Sequence, residues 1–315
     1  NAGNSIASGG NYNVVVGDEA GTAITTGDAN TFHGYSAGAA TTTSSDNTAI
    51  GGAALATNIL ASSNTAVGKN ALYTHNVGSA ASTYNTAIGH HAGLAVTTGV
   101  KNTLIGGLAG DAITDADSNV AVGQEALSTN TLGSRSVAIG TAALFTQNFT
   151  TATNADNTAV GHFAGGSITT GQVNVVIGSL AGDALTDADY NVAIGTYALS
   201  SDTLGSKSTA LGHNALYTQN FTTATDSHNT AVGFQAGLAV TTGVNNTLIG
   251  AIAGDALNTG LQNTAVGKGA LSSDTKGSAS TAIGRAALET QNFTTATDVF
   301  NTAVGYAAGE AVTTG

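Results

Sequence analysis

"NTAIGHHAGLAVTTG" (Asn85–Gly99) returns as "NTAVGFQAGLAVTTG" (Asn229–Gly243) and as "NTAVGYAAGEAVTTG" (Asn301–Gly315), each time with Gly fifth and Ala eighth. Taking the Asn or Ser before each such apolar run as position one, coils begin at 13, 30, 47, 64, 85, 102, 119, 136, 157, 174, 191, 208, 229, 246, 263, 280 and 301. The spacings run 17, 17, 17 and 21 and then recur, so a 72-residue super-repeat starts at 13, 85, 157, 229 and 301. Nothing interrupts this register. The sequence therefore reads as one continuous repeat domain over residues 1–315.

Within a coil, residues such as Thr86-Ala87-Ile88 before Gly89 are β-prone and too short for a helix. A 17-residue coil holding two or three such runs is half the length of a helical solenoid repeat. The expected fold class is all-β: a parallel β-solenoid, or β-roll, of seventeen coils of 17 or 21 residues. Stacked at ~4.8 Å per coil, they would make a thin rod of roughly 80 Å.

Gly at position five and Ala at position eight occur in every coil. The first implies a turn with φ > 0 or a close backbone approach, the second a place where only a methyl group fits. Position one is Asn in fourteen coils and Ser in three (Ser136, Ser208, Ser280), which suits an internal ladder of stacked amides. A linked substitution points to a shared core. Coils with Gly at nine (Gly93, Gly110, Gly182) carry a large aliphatic at twelve (Val96, Ile113, Leu185), whereas coils with Leu at nine (Leu127, Leu199, Leu271) carry a polar residue there (Asn130, Asp202, Asp274). One bulky group replaces the other at roughly constant volume.

Composition narrows the function. The 315 residues include 43 Gly and no Pro, Cys, Met or Trp, and 8% are charged. Much of the apolar fraction is Ala, which makes a narrow core. A formal net charge of −12, with no local basic cluster, argues against nucleic acid and anionic lipid as partners. No stretch is long and apolar enough to insert in a membrane as a helix, and the absence of Cys excludes disulfides and thiolate metal sites. With no initiator Met and no signal peptide, the sequence reads as part of something longer. Positions three and four are adjacent and apolar, so both faces of each strand should be dry, one against the coil interior and the other against a further layer or chain.

The motifs "SVAIG" (136–140), "NVAVG" (119–123), "NVAIG" (191–195) and "NTAIG" (47–51, 85–89) resemble the head repeats of YadA-like trimeric autotransporter adhesins. The longer "NTAVGYAAG" form is similar to shaft repeats of phage tail fibres. The resemblance covers the whole chain at the level of the repeat. It implies a left-handed β-roll, trimerised about a fibre axis, located outside the cell or on a virion, and used for attachment. The coils here are longer than those of the adhesin head, a 21-residue coil recurs regularly, and neither stalk nor anchor is present.

Several groups are candidates for contact or chemistry. The four extra residues of the long coils fall in "FTQNFTTATNAD" (145–156) and its copies, so Phe149, Phe221 and Phe293 are either candidate surface-contact residues on protruding loops or rings that fold back to cover the widened coil. Asn148, Asn220 and Asn292 open Asn-Phe-Thr sequons there. The acidic turns 111–117 and 183–189 each bring three carboxylates together, as calcium ligands require, but lack the Gly-rich spacing of calcium-binding β-rolls. His90 and His91 are adjacent, and as strand neighbours should point to opposite faces. No catalytic constellation or phosphate-binding Gly loop stands out, so neither an enzyme nor a cofactor is expected. The reading is a non-catalytic extracellular fibre segment, acting as rigid spacer and multivalent attachment surface, with a homo-oligomer and an unidentified surface receptor as partners. A self-assembling structural filament is the alternative. Ice binding through the Thr ladder at position thirteen (Thr25, Thr97, Thr114, Thr169, Thr241) is a third reading, interrupted at Ile59, Asn148 and Asn258.

Overall fold

A computed structural model describes residues 2–6 and 8–314. Among them there is no helix, and the chain forms a parallel β-solenoid of about seventeen turns, contained in two compact units, Asn1–Asp156 and Asn157–Gly315. Each turn supplies one three-residue strand at positions two to four. In the first unit eight of these, from Val14–Val16 to Val137–Ile139, pair in parallel with each coil position opposite the same position of the next. Thr86 lies beside Thr103 and Ile88 beside Ile105. The second unit repeats the pattern with nine strands, from Thr158–Val160 to Thr302–Val304.

Two or three β runs per coil proved too many. A second run appears only where the third and fourth coils of a super-repeat meet, as two-residue pairs such as Gly133–Ser134 with Thr153–Asn154 and Gly205–Ser206 with Thr225–Asp226. The reason lies in the backbone. Position seven is left-handed in residues as different as His91 (φ 59°), Leu108 (φ 60°) and Phe163 (φ 53°), and so is the residue before position one, as in Tyr84 (φ 54°) and Lys101 (φ 60°). Extended structure cannot continue through such residues. The turns are still bonded from coil to coil: the Gly93 amide donates to Ala109 O at 3.0 Å and the Gly110 amide to Ala126 O at 2.9 Å.

Gly at position five answers two demands at once. Gly51 has φ 128°, and a Cβ placed on it would sit 2.7 Å from the carbonyl carbon and oxygen of Gly68 in the next coil. Inside, Ala at position eight and the residue at position three are inaccessible to water in nearly every coil, for example Ala87, Ala92, Leu104 and Ala109.

The linked pattern at positions nine and twelve has a geometric cause. Position nine is left-handed throughout, near φ 59° in Gly93 and 56° in Leu127. A Leu in that conformation costs about 1–2 kcal/mol, and burying its side chain returns about 1.5–3 kcal/mol, so Leu is tolerated there when it is buried. When Gly takes position nine, its vacated space is filled by the side chain at twelve: a Cβ on Gly182 would meet Leu185 Cδ1 at 2.9 Å. In the second coil, where residue twelve is Thr41, the ring of Phe32 covers Gly38 instead, which accounts for the departure of that coil from Ala at position three.

The polar residues at twelve are buried rather than turned to solvent, and they complete an internal hydrogen-bond ladder. Each buried Asn at position one accepts, on Oδ1, the backbone N–H of position one in the next coil: Asn102 to Asn85 at 3.0 Å, Asn119 to Asn102 at 3.0 Å, Asn191 to Asn174 at 2.9 Å. Its Nδ2 commonly donates to the carbonyl at position fifteen of its own coil, as Asn85 does to Gly99 at 2.8 Å and Asn174 to Ala188 at 2.8 Å, whereas Asn64 Nδ2 turns to Ser62 O at 3.1 Å. Ser cannot do both, and every coil that begins with Ser has Gln at twelve. Gln219 donates through Nε2 to Ser208 Oγ at 2.8 Å and to Asp202 Oδ2 at 2.6 Å, and its Oε1 accepts Asn229 Nδ2 at 2.8 Å. Gln291 joins Ser280, Asp274 and Asn301 in the same manner.

A paired substitution isolates the stacking constraint. Gly51→Ala should lower stability by about 3 kcal/mol or more, combining strain at φ > 0 with backbone overlap. At its neighbour Gly52, where a Cβ meets nothing within 4 Å, the same change should be neutral or stabilising by less than about 1 kcal/mol. Thermal unfolding followed by circular dichroism reads both.

Candidate interaction surface

The alternation of each strand sends position three inward and positions two and four outward. The outer row at position four is Val16, His33, Ile50, Val67, Ile88, Ile105, Val122 and Ile139 in the first unit. In the second it is Val160, Ile177, Ile194, Leu211, Val232, Ile249, Val266, Ile283 and Val304. Ile50, Ile88, Ile139, Leu211, Ile249 and Ile283 are all 38–42% exposed. Position two beside them is Thr or Val in every coil, so within each unit a continuous stripe of uncharged, mostly aliphatic side chains faces outward. Both faces of the strand are apolar, as expected, but only the inner one is covered within the chain.

The loop aromatics lie elsewhere. Phe149 and Phe221 are 5% exposed and do not protrude: each ring packs over a Gly, 2.7 Å from where a Cβ of Gly133 or Gly205 would stand. The extra residues widen the coil, and the ring folds back to close it. The Phe221 amide is anchored on buried Asp202 Oδ1 at 3.2 Å and the Phe293 amide on Asp274 Oδ1 at 3.0 Å. Phe293 is half-buried. What these loops present to solvent is Thr150, Thr151 and their copies, together with Asn148, Asn220 and Asn292, whose Oδ1 atoms accept Thr131, Thr203 and Thr275 hydroxyls at 2.7–3.0 Å.

The carboxylates of the acidic turns bond neighbouring coils, Asp111 and Asp183 accepting the Ser128 and Ser200 hydroxyls of the following coil and the others accepting from groups of the preceding one. Asp117 Oδ1 accepts the Val100 amide at 2.7 Å, Asp189 Oδ1 the Gln172 amide at 2.7 Å, and Asp187 the Thr170 hydroxyl at 2.6 Å. Burial raises the Asp189 carboxyl above its ordinary range. Among the described residues no three acidic or imidazole groups converge as a metal site, and no pocket is enclosed. The threonines at position thirteen spend their hydroxyl protons along the coil axis: Thr97 donates to Thr114 O at 3.1 Å and Thr169 to Thr186 O at 3.2 Å.

His90 and His91 do not point to opposite faces. The strand ends at Ile88, and Gly89 (φ 143°) with left-handed His91 carries the chain round a corner, so the two rings stack with centroids 3.8 Å apart. Burial, followed by the charges of His90 and Lys69, holds the His91 imidazole below its usual value. His75 is different. It occupies position twelve of the fourth coil, where other super-repeats have Gln, and it is fully buried. Its Nε2 lies 2.9 Å from Thr83 Oγ1, which donates to Asn64 Oδ1 at 2.8 Å. Sequence reading passed over His75, although its alignment with Gln147, Gln219 and Gln291 was available as a signal.

Comparison of the chain with protein-family models, curated proteins and solved structures returned no match.

Burial lowers the His75 pKa from 6.5 to about 4, the Thr97 backbone offsetting part of the shift. Between these values the unfolded chain binds the proton and the folded chain does not, so stability rises with pH. The contribution is complete above about pH 6.5 and is lost as the pH falls toward 4, amounting to about 3 kcal/mol. Melting curves from pH 7 to 4 should fall more steeply for the natural chain than for His75→Gln. Parallel pH profiles would contradict the assignment.

Proposed function

We propose that this chain is a segment of an extracellular fibre, a rigid spacer and multivalent attachment surface assembled as a homotrimer of left-handed β-rolls. One observation carries the reading: the uncovered aliphatic stripe at position four. Contiguous exposed apolar surface of this kind marks an association site on soluble proteins. A stripe with the period of the coil lets identical chains meet in register, each presenting the same face. Charged side chains are kept off it, so the formal charge of −12 per chain does not oppose contact there. The resemblance of "SVAIG" and "NTAVGYAAG" to adhesin-head and tail-fibre repeats supports the same arrangement and supplies its three-fold symmetry, its hand and its location. Attachment then works through repetition, because equivalent sites held at fixed intervals raise effective concentration without a single tight pocket. Ice binding is disfavoured, since the Thr row at position thirteen is interrupted at Ile59, Asn148 and Asn258.

Light scattering on the purified chain should give three times the 30.5 kDa subunit, about 90 kDa, independent of concentration. Ile88→Glu with Ile105→Glu should reduce this toward one chain with the circular dichroism spectrum retained, because both side chains point away from the core. A single-chain mass for the natural protein would overturn the proposal, and mass growing without limit with concentration would favour the structural filament.

A further inference from the structure

Core positions hardly vary between super-repeats, but one patch of surface departs from the repetition. In the second unit, Tyr197 (position seven), His213 (six), Tyr217 (ten) and Phe234 (six) fall on three successive coils and form one group of rings. Tyr197 meets Tyr217 edge to face at 6.1 Å between centroids and His213 at 6.4 Å, and His213 stacks on Phe234 at 5.6 Å with 15° between their planes. All four are exposed, Phe234 to 53%. The same places one super-repeat later hold Gly269, Arg285, Glu289 and Tyr306. The fold is built equally well with those residues, so the rings are not required by the coil.

The surroundings of the rings limit what they suit. Positions six, seven and ten of these three coils carry no charged side chain, in a chain with nineteen acidic residues. Beside the rings stand the partly exposed amide side chains of Asn214 and Gln235, although Asn214 Oδ1 itself is enclosed. Position six of the next coil is Ala251, too small to cover the side of Phe234 that faces away from His213. An exposed ring face with partial negative charge attracts the weakly positive axial C–H bonds of a pyranose. Neighbouring amide and phenol groups match its hydroxyls. Stacked nucleic-acid bases would need cations for their phosphates, and this patch has none.

We infer that Tyr197, His213, Tyr217 and Phe234 form a binding platform for neutral saccharides, with Gln235 and the two tyrosine hydroxyls supplying polar contacts. This names a ligand class for the attachment surface proposed above and rests on that reading. Each contact is shallow, so affinity would come from repetition across chains.

The test is saturation-transfer NMR on the full chain with maltohexaose, cellohexaose and the hexamer of N-acetylglucosamine, and with a heparin hexasaccharide as the anionic comparison. At least one neutral hexasaccharide should receive saturation at its ring protons, and heparin should not. The double substitution Tyr197→Ala and Phe234→Ala should weaken that binding at least tenfold, whereas Tyr84→Ala, an exposed tyrosine in the first unit, should leave it unchanged. Circular dichroism confirms folding of both variants. Absence of transfer to every neutral glycan would overturn the inference, as would transfer that survives the double substitution. A fall in particle mass on that substitution, without glycan binding, would overturn it by showing a chain-to-chain contact. Glycan binding by a single-chain species would sustain the platform while refuting the trimer, so the two proposals fail separately.

Discussion

Wherever a coil follows one that opens with Asn, its first backbone N–H points inward and donates to that Asn side chain rather than to a backbone carbonyl. Left unsatisfied, such a group costs about 1–3 kcal/mol, and the demand recurs along the solenoid. Asn meets it because its side chain carries an acceptor for the next coil and a donor for the end of its own, as Asn85 does with the Asn102 amide and Gly99 O. Much of the remaining chemistry adjusts to that requirement. Where a coil opens with Ser, Gln219 or Gln291 bonds the Ser hydroxyl and accepts the side-chain Nδ2 of the next Asn, and its own Nε2 finds a second buried partner in Asp202 or Asp274. Gly at position five then lets backbones lie directly over one another, so that the ladder keeps a constant rise.

A core fixed this tightly leaves the outside free to differ. Positions five and eight do not change and position three stays apolar from coil to coil, whereas position six runs through Lys69, His90, Thr141, His213, Phe234, Arg285 and Tyr306. That division is what a display scaffold needs, since surface chemistry can vary with no change of geometry beneath it. Two outward features stand apart from the background: the aliphatic stripe, which repeats with the coil, and the Tyr197–Phe234 ring group, which does not. The first suits contact between identical chains; the second suits something other than the chain itself.

The coil, its 17- and 21-residue lengths and its parallel register were legible because Gly five and Ala eight answer steric demands that no other residue meets. The Asn ladder was legible for the same reason. The left-handed residues at position seven and before position one were not, because Tyr84, Lys101, Leu108 and Phe163 share no chemistry and ordinarily avoid that conformation. Only the stacking of neighbouring coils imposes it. Of the two readings open for the loops at Phe149 and Phe221, protrusion or a ring folded back over the wider coil, burial selects the second, which spacing alone could not do. The polar residues at twelve carried a signal, the concurrence of Ser at one with Gln at twelve, but it was read as a matter of volume rather than of hydrogen bonding.

The central claim is that side-chain carbonyls of Asn accept the backbone amides of the following coil. Through-hydrogen-bond couplings in an isotope-labelled chain test it directly. A correlation is expected from the backbone N–H of Asn102 to the side-chain carbonyl carbon of Asn85, with the same link from Asn119 to Asn102 and from Asn191 to Asn174. Finding instead that these amides couple to backbone carbonyl carbons, or exchange rapidly with solvent, would contradict it.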